Sequence, residues 1–269
     1  MDLHFADWHG TVRGTSVRVA YLRRPAAGVP LVCLHGFGST KEDYADLALH
    51  PAFAGRDLVM LDAPGCGASY VADPEAISIP FLVDVALAVC DALELAQFHL
   101  SGHSMGGLTA LLLAHHHPER LLSFIDIEGN VAPEDCFLSR QIVDYPASNE
   151  EEFLDGFIAR LKTSKEYSSV LYSIAVPSKV RSSSVKPIFS SMVELSDGQP
   201  LMDHMLGLPC PRVFIYGEQN RHLSYLDTLQ SAGVDVVEIP WAGHFPMYSN
   251  PPALWSAMAD FLNRAEAQR

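Results

Sequence analysis

One stretch of this chain fixes its architecture more tightly than any other. The strand-like run Phe98-His99-Leu100 leads directly into Gly102-His103-Ser104-Met105-Gly106, followed by Gly107 and the apolar run Leu108–Ala114. A strand that turns within a few residues into a helix needs small residues around the corner, because the backbone there is strained and crowded. The same rhythm recurs along the chain. VPLVCLHGFG and RDLVMLDAPGCGAS are each a continuous apolar run closed by a Gly-rich loop, as expected for strands covered on both faces. FLVDVALAVCDALEL carries apolar residues at helical spacing, and LLSFIDIEGN, CPRVFIYGEQN and VDVVEIP are further strand-like runs. Alternating strands and helices imply a mostly parallel sheet with helices on both faces. At the start, HGTVRGTSVRVAYLRRP alternates polar and apolar residues around a Gly-Thr turn and predicts a β-hairpin.

From residue 131 to 208 the texture changes. EEEFLDGFIARL and SSMVELSDGQPLMDHML are helix-like and are separated by polar stretches such as PSKVRSSSVKP. The chain therefore divides into a core segment 1–130, a helical insertion 131–208 expected to form a lid, and a returning core segment 209–269. The insertion is expected to govern access to the sheet edge.

A serine between strand and helix projects above the sheet, where the helix N-terminus offers N–H groups to a developing negative charge. Ser104 is thus the candidate nucleophile. A tetrahedral oxyanion needs two converging donors: the N–H of Met105, which follows the serine, and one from His35-Gly36-Phe37-Gly38, assigned to Phe37. A serine hydroxyl is a poor nucleophile unaided, so a base must take its proton. Of the 12 histidines, His244 in Ala242-Gly243-His244-Phe245 is the one that follows the final strand. The run His115-His116-His117 ends a helix, where successive side chains point in different directions; it predicts solvated imidazoles rather than a metal site.

With HGFG, DAPGCGAS, GHSMGG, the helical insertion and AGHFP in place, the sequence resembles the α/β-hydrolase superfamily over nearly its whole length. That resemblance implies a sheet of about eight strands, an acyl-enzyme mechanism, no cofactor, and a variable lid that sets substrate choice. One position departs from the family pattern. Many members carry an aspartate in a GxxD loop after the strand matching VFIYG, whereas this chain reads Gly217-Glu218-Gln219-Asn220. An amide cannot stabilise an imidazolium as a carboxylate does. The resemblance offers a second place for the acid, the end of the strand after the nucleophile helix, which points to Glu128. Glu218 and Asp126 are the alternatives, and Glu128 as a mere hinge cap is the competing structural reading. Glu128 is placed at the end of the strand SFIDIEGN, where Asp126 and Glu128 face the same side one step apart and Glu128 is nearer the C-terminal rim.

Gly36, His103, Trp241 and Phe245 are the expected substrate contacts. Phe37, Met105 and Phe137 are further candidates for an acyl pocket; core packing competes for each of these side chains. Asp62 is read as a brace for its loop. The resulting expectation is a serine hydrolase for a small, fairly apolar ester, thioester or lactone. Non-hydrolytic chemistry on the same fold and a catalytically weak ligand-binding receptor are the alternatives, the second resting only on the missing GxxD acid. No metal is expected.

Bulk properties narrow the partners. A net charge of −14 disfavours nucleic acid and anionic membrane surfaces. The apolar runs are too short for a membrane span, and the opening MDLHFADWHG lacks an apolar run of signal-peptide length. The five cysteines are scattered without CxxC spacing, which suits reduced thiols and a cytoplasmic location. The expected partner is a small-molecule substrate, and the oligomeric state is left open.

Overall fold

The computed structural model describes residues 3–143 and 149–268; for Phe137, Ile142 and Glu150 it describes the backbone alone. The chain opens with a hairpin, β1 (His4–Val12) and β2 (Thr15–Arg24), paired antiparallel along their full length. The two turn residues are Arg13 and Gly14, both at positive φ, as a tight right-twisted hairpin demands. Thr15 already belongs to the second strand, so the turn lies one residue earlier than the sequence pattern predicts.

The sheet continues with β3 (Gly28–Leu34), β4 (Arg56–Leu61), the short β5 (Tyr70–Val71), β6 (Phe98–His103), β7 (Leu121–Ile127), β8 (Arg212–Gly217) and β9 (Asp235–Ile239). Eight strands follow the order β1-β2-β4-β3-β6-β7-β8-β9, and β5 pairs with β2. From β4 to β9 every pairing is parallel. Six strands therefore end on one edge of the sheet, and the loops that follow them meet there.

The helices of the first core segment are α1 (Ile79–Ala92) and α2 (Met105–His116). Helix α1 starts at Ser78, whose hydroxyl accepts the Phe81 N–H at 3.3 Å. Helix α2 is apolar all round, and its residues from Met105 to Ala114 are buried; such a helix has to sit inside the molecule. It packs on β6, β7 and α1. Strands β6 and β7 are buried throughout, and one side-chain polar pair joins them: His99 Nδ1 lies 2.7 Å from Ser123 Oγ.

Five helices follow β7: α3 (Phe137–Val143), α4 (Glu150–Leu161), α5 (Ser169–Lys179), α6 (Val185–Gly198) and α7 (Leu201–Gly207). Helix α3 packs on α6 and α4 on α5, while α7 returns to α2. Helix α5 occupies ground that the sequence reading left between two helices; its apolar run Val170-Leu171-Tyr172 is the signal, obscured by Pro177 in its last turn. The far end of α5 is tied to the core. Lys179 Nζ donates to both Asp43 oxygens at 2.6 and 2.8 Å and to Tyr248 Oη at 3.0 Å. The neighbouring Arg181 donates its N–H to Gly65 O at 3.0 Å and its guanidinium to Ser69 O.

The chain closes with α8 (Leu226–Ser231), α9 (Pro246–Ser249) and α10 (Pro251–Ala267). Among the described residues no helix is long and apolar enough to cross a membrane. All five cysteines are free and buried.

Candidate active site

Ser104 stands between β6 and α2 with φ 51° and ψ −118°, a conformation unfavourable for a side-chain-bearing residue. Its surroundings hold it there. The Ser104 N–H donates to Ile127 O at 3.0 Å, and its carbonyl accepts the Leu108 N–H at 3.0 Å. A Cβ on Gly102 would overlap the Gly106 carbonyl, so the corner closes only with glycine.

His244 reaches Ser104 from the loop between β9 and α9. Its Nε2 lies 3.0 Å from Ser104 Oγ, and its Nδ1 lies 3.2 Å from Glu128 Oε2. With the carboxylate accepting, Nδ1 carries the proton and Nε2 is free to accept from the serine. The loop is pinned by His103 beneath it, whose Nε2–H donates to His244 O at 2.7 Å. Burial, reinforced by the nearby His244, pushes the pKa of His103 well below the usual histidine range, so this brace stays neutral.

Glu128 sits one residue beyond β7 with φ 53°. Its N–H donates to Ile215 O at 3.0 Å, extending the pairing with β8. Its Oε1 accepts the Gly217 N–H at 2.7 Å, and its Oε2 accepts Asn220 Nδ2–H at 2.7 Å in addition to the imidazole. Only 5 % of its side chain is exposed, so these donors replace the water a carboxylate needs. Burial works against protonation of His244, but the hydrogen bond and charge of Glu128, aided by the charges of Glu166 and Asp135, raise its pKa above 6.5. The serine hydroxyl thus faces a base whose protonated form is stabilised.

The two alternative acids lie elsewhere. Asp126 is fully buried, and its Oδ1 accepts the Gly129 N–H at 2.8 Å. It does not share a side with Glu128, because the left-handed turn after Ile127 takes Glu128 out of the strand and swings it towards β8. Glu218 opens a short 3-10 turn ending at Asn220. Among the described residues, the carboxylate hydrogen-bonded to His244 is that of Glu128.

Ser104, Glu128, Asn220 and His244 line a cavity of about 550 Å³. Phe37, Tyr172, Phe189, Met192 and Phe245 supply an apolar, mostly aromatic part of its lining, and Glu134, Asp135, Glu166 and His222 a polar part. Asp135 is held near pKa 6 because burial outweighs the Tyr225 hydroxyl and the backbone N–H groups it accepts. Tyr172 on α5 donates to Phe37 O at 2.7 Å and stacks on Phe245 with ring centroids 4.0 Å apart. Sequence reasoning missed Tyr172, since nothing local in an apolar helix marks which residue reaches another loop.

Several expected substrate contacts are placed differently. Trp241, at a positive φ of 56° in the loop that carries His244, is 68 % exposed and lies outside the cavity lining. His103 is wholly buried as a loop brace. Gly36 lies under Ser104, where an added Cβ would come 2.5 Å from His103 Nδ1; it is packed rather than exposed to the cavity. Met105 lines a separate void of about 30 Å³, together with His35, Asp62 and Thr109. Phe37 and Phe245 line the cavity, and the Phe137 side chain falls outside the described residues. Asp62, fully buried, accepts N–H groups from Lys41 at 2.8 Å and Ala68 at 2.9 Å and the Lys41 ammonium at 2.7 Å. His115 stacks on His204 with centroids 3.7 Å apart, and among the described residues no three His, Cys, Asp or Glu are grouped to hold a metal.

Comparison with known proteins places this geometry in context. Residues 29–170, just over half the chain, match the model of the α/β hydrolase fold. The chain is 41 % identical over 97 residues to the dihydrolipoyllysine-residue acetyltransferase component of the acetoin cleaving system of Pseudomonas putida, covering 36 % of this chain and 25 % of that protein. It is 38 % identical over 120 residues to the pimeloyl-[acyl-carrier protein] methyl ester esterase of Aeromonas hydrophila, covering 44 % and 43 %. The matched stretches thus span less than half the length of these relatives. A solved N-acyl homoserine lactonase superposes over 98 % of both chains with a TM-score of 0.76 at 17 % identity. The chain belongs to the α/β hydrolase fold family.

Proposed function

We propose that this protein is a serine hydrolase that cleaves a small, fairly apolar carboxylic ester, thioester or lactone. The observation that carries this reading is the unbroken chain Ser104 Oγ, His244 Nε2, His244 Nδ1, Glu128 Oε2, with links of 3.0 and 3.2 Å at the wall of the 550 Å³ cavity. His244 takes the Ser104 proton as Oγ attacks the acyl carbon, and Glu128 orients the ring and stabilises the imidazolium. The N–H groups of Phe37 and Met105 hold the oxyanion. His244 then protonates the leaving group, and water, deprotonated by the same imidazole, releases the acid and restores Ser104. The esterase and lactonase similarities support an ester bond as the target.

The aromatic part of the lining suits an apolar acyl or alkyl group, and the carboxylates among the lining disfavour an anionic one. The receptor reading rested on the amide at position 220. With that amide 2.7 Å from Glu128, it favours a relocated acid instead. In this reading the helical stretch 131–208 is a lid over core segments 1–130 and 209–269, the substrate is a small molecule, and the location is cytoplasmic.

The test is hydrolysis of chromogenic esters of increasing acyl length by wild type and Ser104→Ala. Turnover that vanishes in the variant is expected, with the length preference sizing the aromatic part of the lining. Absence of turnover across the series, or full turnover by Ser104→Ala, sinks the reading.

A further inference from the structure

Asn220 stands where the GxxD pattern places an acid, and its side chain is hydrogen-bonded to the carboxylate that has taken over that position's partner. We propose that Asn220 is the positioning residue for Glu128, and that amide and carboxylate can be exchanged between positions 128 and 220 with the site preserved. The proposal rests on the hydrolase reading above.

The geometry supplies the argument. Glu128 Oε2 serves two donors, Asn220 Nδ2–H at 2.7 Å and His244 Nδ1–H at 3.2 Å, while Oε1 serves the Gly217 N–H at 2.7 Å. A carboxylate offers acceptors only, so the atom of Asn220 that meets it is the amide nitrogen. The amide contact is the shorter of the two on Oε2. Gly217 and Asn220 therefore fix both oxygens from the β8 side, and the imidazole meets a carboxylate that is already aimed. Both fixing groups come from one short piece of chain, the end of β8 and the 3-10 turn Glu218–Asn220.

Charge explains why position 220 holds an amide. Two carboxylates 2.7 Å apart in a site this enclosed could not both stay ionised; one would retain its proton. With the acid on Glu128, a neutral donor at 220 leaves a single negative charge facing His244. The exchange Glu128→Gln with Asn220→Asp obeys the same rule. The amide at 128 keeps an oxygen for the Gly217 N–H and gains an N–H for the new carboxylate at 220. One charge and the complementary donors remain, and the acid moves by one hydrogen-bond length, to the side of the imidazole where the GxxD pattern puts it.

Asn220 also lines the cavity, so a substrate contact is the rival role. A substrate contact acts on KM; a positioning residue acts on kcat and on the basicity of the imidazole. The experiment measures kcat, KM and their pH profiles on one chromogenic ester, together with the melting temperature, for Ser104→Ala, Glu128→Gln, Asn220→Ala, Asn220→Asp and the exchange variant. NMR titration of the His244 ring in the same proteins reads its pKa without turnover. Glu128→Gln is expected to lose about 10³–10⁴-fold in kcat, as when a triad acid becomes an amide. Asn220→Ala should lose about 10–100-fold in kcat with KM near wild type. The exchange variant should recover at least about 10-fold over Glu128→Gln, because the carboxylate again faces Nδ1. Asn220→Asp should leave the pKa of His244 near its wild-type position, since one of the two carboxyls retains its proton and a single negative charge still faces the ring.

Wild-type kcat in Asn220→Ala, or a loss confined to KM, overturns the positioning role whatever the exchange does. An exchange variant that melts like wild type yet is no faster than Glu128→Gln overturns exchangeability. If the exchange variant does not fold, the Asn220→Asp titration decides that part: a His244 pKa that falls to its Glu128→Gln position refutes it. Turnover that survives Ser104→Ala would instead overturn the hydrolase reading, and the NMR titrations would still test the amide's hold on Glu128.

Discussion

Two neighbouring strands of this sheet end in the same unusual way. β6 is followed by Ser104 at φ 51°, and β7 by Glu128 at φ 53°. Each residue donates its N–H to a carbonyl of the next strand, Ile127 for Ser104 and Ile215 for Glu128. Each turn aims one polar side chain across the sheet edge at the same histidine. The two turns also touch. An added Cβ on Gly107 would come 2.6 Å from the Gly129 Cα, and one on Gly129 would overlap Asp126 Oδ1. They differ in what enforces them. The serine turn is crowded by Gly102, Gly106 and Gly107, and so reads as a motif. The glutamate turn has only Gly129 after it and owes its shape to pairing with β8. Left-handed geometry at a strand end therefore has two sources, local crowding and tertiary pairing, and only the first leaves a recognisable pattern.

The largest expected effect separates the two side chains by chemistry. Ser104→Ala should remove hydrolysis by 10⁴-fold or more, while Glu128→Gln should leave about 10³–10⁴-fold less than wild type but a measurable rate, from the oxyanion donors and residual base. Equal rates for wild type and Glu128→Gln would mean that the second turn is structural only.

Next comes the contact between the turns. Gly129→Ala and Gly107→Ala each introduce a methyl group against backbone and a buried carboxyl, and each is expected to cost about 1–3 kcal/mol in chemical denaturation. A Gly129→Ala protein as stable as wild type would show that the glutamate turn adapts where the serine turn cannot.

The third effect is on pH. Ser104 needs a neutral imidazole, and His244 has its pKa raised by Glu128. The acid limb of kcat/KM should therefore have its midpoint above 6.5, and in Glu128→Gln the residual rate should show that midpoint moved down. A limb that stays in place in the variant would separate His244 basicity from the second turn.

The smallest effect concerns Asp126, buried between the turns with its pKa pushed up to about 8 by burial. Its folded pKa lies above the unfolded value near 3.9, so the native state holds a proton that the unfolded state loses, and stability falls as pH rises between about 4 and 8. Asp126→Asn has no such proton. Its melting temperature relative to wild type should climb across that window and level off above it. A parallel pair of melting curves against pH would show that Asp126 is not a neutral acid.

What the sequence by itself determined is everything that repeats or crowds locally. The alternation of apolar runs and helices dictates a parallel sheet, because runs without polar alternation must be covered on both faces. The glycines around Ser104 dictate a strained corner, because no side chain fits there. The position of His244 after the last strand follows from chain order alone. Tertiary structure decides which carboxylate meets His244: Asp126 lies within β7, Glu218 in the turn after β8 and Glu128 in the turn after β7, and the bond from Glu128 N–H to Ile215 O ties that last turn to β8. It also decides which aromatic residues line the cavity: Tyr172 enters it from a helix and Trp241 lies outside its lining. Those outcomes depend on contacts between residues far apart in the chain, for which a linear pattern carries no period and no spacing.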